Sequence, residues 1–80
     1  MPRFFIDLHD GSNFVKDTEG FDLPDHAAAQ ERAIRIMAKI AQGFPGTAER
    51  EDYLAAIRDA DGRVVMRVHL SLDVERIETA

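Results

Sequence analysis

The chain has 80 residues, 45% of them apolar and 31% charged, with no cysteine. That suits one small globular domain and excludes a two-lobed enzyme, a disulfide framework, a thiol nucleophile and a cysteine-held metal. The net charge of −5 argues against bulk binding to nucleic acid or an anionic membrane, where a basic footprint supplies most of the affinity, but leaves room for a local basic patch.

At the N-terminus Asp7 arrives before a signal-peptide apolar region can form. The longest apolar run, Tyr53 to Ile57, is too short to span a bilayer. The expectation is a soluble cytoplasmic protein, residues 1–80 forming a single domain. Asp10-Gly11 then reads as the turn of a first hairpin over residues 1–17. A two-residue type I′ turn needs positive φ at both central positions, which Gly adopts freely and Asp more readily than most. This register sets Leu8 opposite Asn13, Ile6 opposite Val15 and Phe4 opposite Asp17. Phe4, Ile6, Leu8 and Val15 then share an apolar side, and Phe5, Asp7, His9, Ser12, Phe14 and Lys16 a mixed one.

A helix is expected over residues 22–43. Asp22 or Asp25 caps its start, Pro24 is tolerated in the first turn, Gly43 stops it and Pro45 prevents resumption. At about 100° per residue, Ala29, Ala33, Ile36, Met37, Ile40 and Ala41 form one face, and Glu31, Arg32, Arg35, Lys39 and Gln42 the other. Phe44 closes that end of the core.

Residues 47–60 are rich in Ala and Glu, and propensity alone favours helix there. Cross-strand register favours a second hairpin over residues 52–70 instead. With Asp61-Gly62 as the turn, Tyr53 faces Leu70, Ala55 faces Val68, Ile57 faces Met66 and Asp59 faces Val64. The other side carries Leu54 with His69, Ala56 with Arg67 and Arg58 with Val65. In the tail, residues 71–80, Val74 and Ile77 either dock as a turn of helix or extend the last strand. The predicted fold is α+β in the order β-β-α-β-β, an antiparallel sheet of two hairpins with one helix on one face.

Met1-Pro2-Arg3-Phe4-Phe5, Asp10-Gly11, the stretch Asp17-Thr18-Glu19-Gly20-Phe21-Asp22-Leu23-Pro24-Asp25 and the Ala-rich helix together resemble a family of short bacterial proteins of unknown function. The resemblance runs to about Arg67. It implies a compact cytoplasmic α+β domain and carries no reaction, cofactor or site. The stretch from Phe21 to Ala29 is also similar to HicB-type antitoxin domains, with Asp25 in place of their usual glycine after the proline.

Candidate chemistry is sparse. The acids from Asp17 to Asp22 fail as an EF-hand loop, because Gly20 falls at position 4 and Ala28 at position 12. They read as a turn leading into a capped helix. Asp7, His9 and His69 converge as a metal or acid–base site only if the two hairpins pair edge to edge. Ser12, Thr18, Thr47, Ser71 and Thr79 have no nucleophile motif around them. The expectation is a non-enzyme with no catalytic residues, no metal and no cofactor.

The helix covers one side of the sheet, so the other side is the candidate binding surface: Phe5, Asp7, His9, Phe14, Lys16, Arg58, Arg67 and His69. Exposed aromatics among bases suit a protein partner or self-association. They also suit stacking of single-stranded nucleic acid, but the interleaved acids and absence of an RNA-binding motif favour protein. A third possibility is that the tail folds back and covers this face with Leu72, Val74 and Ile77.

Overall fold

A computed structural model describes residues 1–78. β1 (Arg3–His9) carries alternating apolar residues and lies inside the sheet, because strands pair with both of its edges. β2 (Phe14–Val15) and β3 (Phe21–Asp22) lie along one edge of β1; β4 (Arg50–Arg58) lies along the other, and β5 (Val64–Asp73) follows β4. Every pairing is antiparallel. The helix α1 (His26–Gln42) packs on one face. The α+β class and the element order agree with the sequence reading; β3 was not anticipated.

The core lies between α1 and the sheet. Phe4 and Ile6 from β1, Ala55 and Ile57 from β4, Leu23, and Ala29, Ala33 and Met37 from α1 are all buried together. Alanine at 29 and 33 lets the helix backbone approach the strands closely. Phe44 stacks on Tyr53 with ring centroids 5.6 Å apart, closing one end.

The helix begins later than residue 22. Asp25 is the cap, accepting the Ala28 N–H at 2.8 Å, so Pro24 precedes the helix rather than sitting in its first turn. Asp22 instead pairs with Arg3 at 3.0 Å.

Both turns differ from type I′, since among the described residues none other than glycine has positive φ. In the first loop Asp10 accepts the N–H groups of Ser12 and Asn13, and Asp10 donates its own N–H to the Asn13 carbonyl. This lengthens the loop and pairs Leu8 with Val15 and His9 with Phe14. The shift from the expected register is two residues, so each side chain keeps its face. β2 then ends, and Phe4 pairs with Phe21 of β3 rather than with Asp17.

In the second hairpin Asp59 donates to the Arg63 carbonyl and Gly62 donates to the Asp59 carbonyl. Three residues, Ala60 to Gly62, thus form the loop, with Gly62 at φ +85°. A β-bulge restores the register: Arg58 pairs with Val64 and Ile57 with Met66, leaving Val65 over. Val65 packs against the core; Val64, not Val65, is the partner of Arg58. From Tyr53 to Ile57 the expected pairs are present.

The tail extends the last strand. Val74 donates its N–H to the Glu49 carbonyl at 2.8 Å. Val74 and Ile77 are 51% and 74% exposed, so residues 74–78 do not fold back over the open face. The end of the expected tail, including Thr79, lies outside the described residues.

Candidate binding surface

The uncovered face carries Phe5, Asp7 and His9 from β1, Leu54, Ala56 and Arg58 from β4, and Arg67, His69 and Ser71 from β5. The antiparallel registers align them in rows across the strands. The residues expected to form one surface divide into two groups.

Phe5, Asp7 and Arg58 form a closed cluster. The Arg58 guanidinium donates from Nε to Asp7 Oδ2 at 2.6 Å and from Nη2 to Asp7 Oδ1 at 3.0 Å. It lies 4.9 Å from the Phe5 ring centroid. The two side chains of the ion pair are only 18% and 7% exposed. These Arg58 hydrogen bonds hold the Asp7 carboxyl below its ordinary range, against the opposing effect of burial.

Asp17 completes this cluster; it was expected opposite Phe4 at the start of a turn and not as part of a binding surface. Its N–H donates to Asp7 Oδ1 at 2.9 Å, and its carbonyl accepts from Arg58 at 3.0 Å. Its carboxylate accepts the N–H groups of Ile6, Glu19 and Gly20. The side chain thereby satisfies a β1 backbone donor where β2 has stopped. Burial pushes the Asp17 carboxyl up, and the donations from Gly20, Ile6 and Glu19 outweigh it, leaving the group below its ordinary range. The spacing Asp17-x-x-Gly20 was the available signal, since Asp commonly accepts from backbone N–H groups two and three residues on.

The second group is open. Phe14, His9, Leu54 and His69 form one row across β2, β1, β4 and β5. The His9 and Phe14 rings lie 4.3 Å apart, and Phe14 remains 54% exposed. Arg67 is exposed in the neighbouring row, opposite Ala56. Lys16 is also exposed, near enough to Asp7 to favour its charged form. A shallow hollow of about 260 Å³ between the histidines includes Leu54, Asp52 and Ser71 in its lining.

The metal-site possibility is not formed: Asp7 is turned onto Arg58, and His9 and His69 lie on either side of Leu54. Among the described residues no group of three or more His, Asp or Glu side chains is placed to hold an ion. Among them, too, no helix is long and apolar enough to cross a membrane.

Fold and surface together define a small α+β protein with a helix on one side of an antiparallel sheet and an uncovered second side. The chain belongs to the family described as a domain of unknown function (DUF6894), which matches residues 3–71. No curated protein and no solved structure matches it.

Proposed function

We propose that the protein is a non-enzymatic cytoplasmic interaction module that binds a protein partner through the open face of its sheet. The observation supporting this is the row Phe14, His9, Leu54 and His69, left uncovered by the helix and by the described residues of the tail. Exposed apolar groups gathered in one patch mark interaction sites, where scattered ones do not. Arg67 and Lys16 are exposed here among the acids Asp52 and Asp73, in a chain of charge −5. The fitting partner is a segment with an apolar side chain for the hollow at Leu54 and an acidic group directed to Lys16, away from Asp52. The carboxylates with lowered pKa, Asp7 and Asp17, are occupied by internal hydrogen bonds, which supports the non-enzymatic reading. An antitoxin-like regulator, the kind of protein the Phe21–Ala29 stretch resembles, is one form such a module takes.

Peptide selection against the purified protein tests the proposal. Selected peptides are expected to combine an apolar residue with flanking Asp or Glu. They should bind ~10-fold or more weakly to a Phe14→Ser, Lys16→Glu variant, while Arg35→Glu on the outer side of α1 leaves binding unchanged. Peptides indifferent to the Phe14 and Lys16 changes would overturn the proposal. So would tight, Phe14-dependent binding of a short single-stranded oligonucleotide with no peptide selected.

A further inference from the structure

β5 is the last strand of the order β2-β1-β4-β5. The Val74 N–H donates to Glu49 on the β4 side, and the register runs without a shift from Asp73 back to Met66. Backbone groups alternate in direction along an antiparallel strand. Met66, Val68, Leu70 and Leu72 therefore direct their N–H and C=O groups to β4. Arg67, His69, Ser71 and Asp73 direct theirs to the free edge. Edge strands are usually protected by being short, by charged side chains (lysine above all) or proline, by a bulge or by a covering segment; the charges on β5 are Arg67 and Asp73, of opposite sign. β5 has ten residues, and its bulge lies only at the hairpin end. It contains neither lysine nor proline.

The hairpin also projects. β4 pairs with β5 from Arg50 onward, but with β1 only over Leu54–Arg58. The segment Arg50–Tyr53 with Leu70–Asp73 therefore extends past β1, with no strand beside it on the β1 side among the described residues. The radius of gyration is 15.2 Å, with a long dimension of 59 Å, where a compact chain of this length has about 12 Å.

We propose that a second copy of this chain completes the sheet, its β5 pairing antiparallel with β5 about a two-fold axis at Leu70. This register uses the regular stretch from Met66 to Val74 and avoids the bulge. On the helix side it sets Leu70 against Leu70, Val68 against Leu72 and Met66 against Val74, so the exposed Val74 gains an apolar neighbour. On the open side it sets His69 against Ser71 and Arg67 against Asp73, once on each side of the axis. Among the described residues Arg67 has no ion pair, and Asp73 is only 3.8 Å from Arg50 with both side chains largely exposed. A two-fold at His69 loses the Arg67–Asp73 match, and one at Ser71 sets Met66 against Arg76. Cross-strand pairs of opposite charge stabilise a ladder and like charges opposite each other oppose it. The axis is normal to the sheet, so both helices lie on one side and the two open faces join into a single surface.

Light scattering after size exclusion tests this. The wild type should have twice the 9.0 kDa chain mass. His69→Pro removes a free-edge N–H and no β4 hydrogen bond; it should be a monomer with unchanged circular dichroism. Arg67→Asp or Asp73→Arg alone should weaken the dimer by roughly 10-fold, because symmetry counts each pair twice. The double exchange should restore it, whereas Phe14→Ser should leave it intact. A monomeric wild type, a dimeric His69→Pro protein, or a Phe14→Ser variant that dissociates would overturn the proposal. Failure of the double exchange to restore dimerisation would overturn the Leu70 register.

Discussion

Asp7 and Arg58 are 51 positions apart in sequence, yet their pair holds β1 to β4 from the side the helix does not cover. Asp17 ties the same cluster to the loop after β2. Among the described residues no buried side-chain polar atom lacks a partner, so the cluster is satisfied rather than strained. Its carboxylates give stability a pH dependence of definite sign. The folded-state pKa values of Asp7 and Asp17 are lowered, as are those of Asp10 and Asp22. Their stabilisation is present above the unfolded value of about 4 and is lost as pH falls through the lower folded values. Thermal melting should be nearly flat from about pH 5 upward and fall steeply below about pH 4. Asp17→Asn should lower stability at neutral pH by about 1–2 kcal/mol, through at least one unsatisfied backbone donor, and should make the acid slope shallower. An acid slope identical to wild type would remove Asp17 from the account.

At the scale of elements, the turn between β2 and β3 depends on Gly20. It sits at φ +78°, where an added Cβ would lie 3.0 Å from the Phe4 carbonyl oxygen and 2.9 Å from Arg3 Cγ. Gly11 has φ +93° but open space around the same position. Gly20→Ala should therefore cost about 3 kcal/mol or more by urea unfolding, and Gly11→Ala about 1; equal costs would contradict the packing described around β3. Much of the element order was legible, and for physical reasons. Val15 and Phe14 kept their expected faces despite the shifted first register, because strand periodicity is two and the shift was even. The apolar matches of Tyr53, Ala55 and Ile57 with Leu70, Val68 and Met66 outweighed helix propensity. The bulge at Val65 was not legible, since consecutive valines fit an ordinary strand as well as a bulged one. The closed cluster was not legible either. Phe5, Asp7 and Arg58 were correctly placed on one face, but only the β1–β4 pairing, which neither hairpin encodes alone, brings the charges into contact.

For the whole molecule, small size leaves a sheet with one covered face, one open face and one open edge. The described part of the tail, residues 74–78, extends from β5 and covers neither, leaving the outer row and the β5 backbone unfinished. The proposed pairing at Leu70 uses the edge and leaves the row for a different protein. The most direct test is residue-resolved amide hydrogen exchange along β5 over a range of protein concentrations. Arg67, His69 and Ser71 should exchange slowly when concentrated and quickly when diluted, while Val68 and Leu70, bonded to β4, stay protected throughout. Rapid exchange at Arg67, His69 and Ser71 at every concentration would contradict the paired edge.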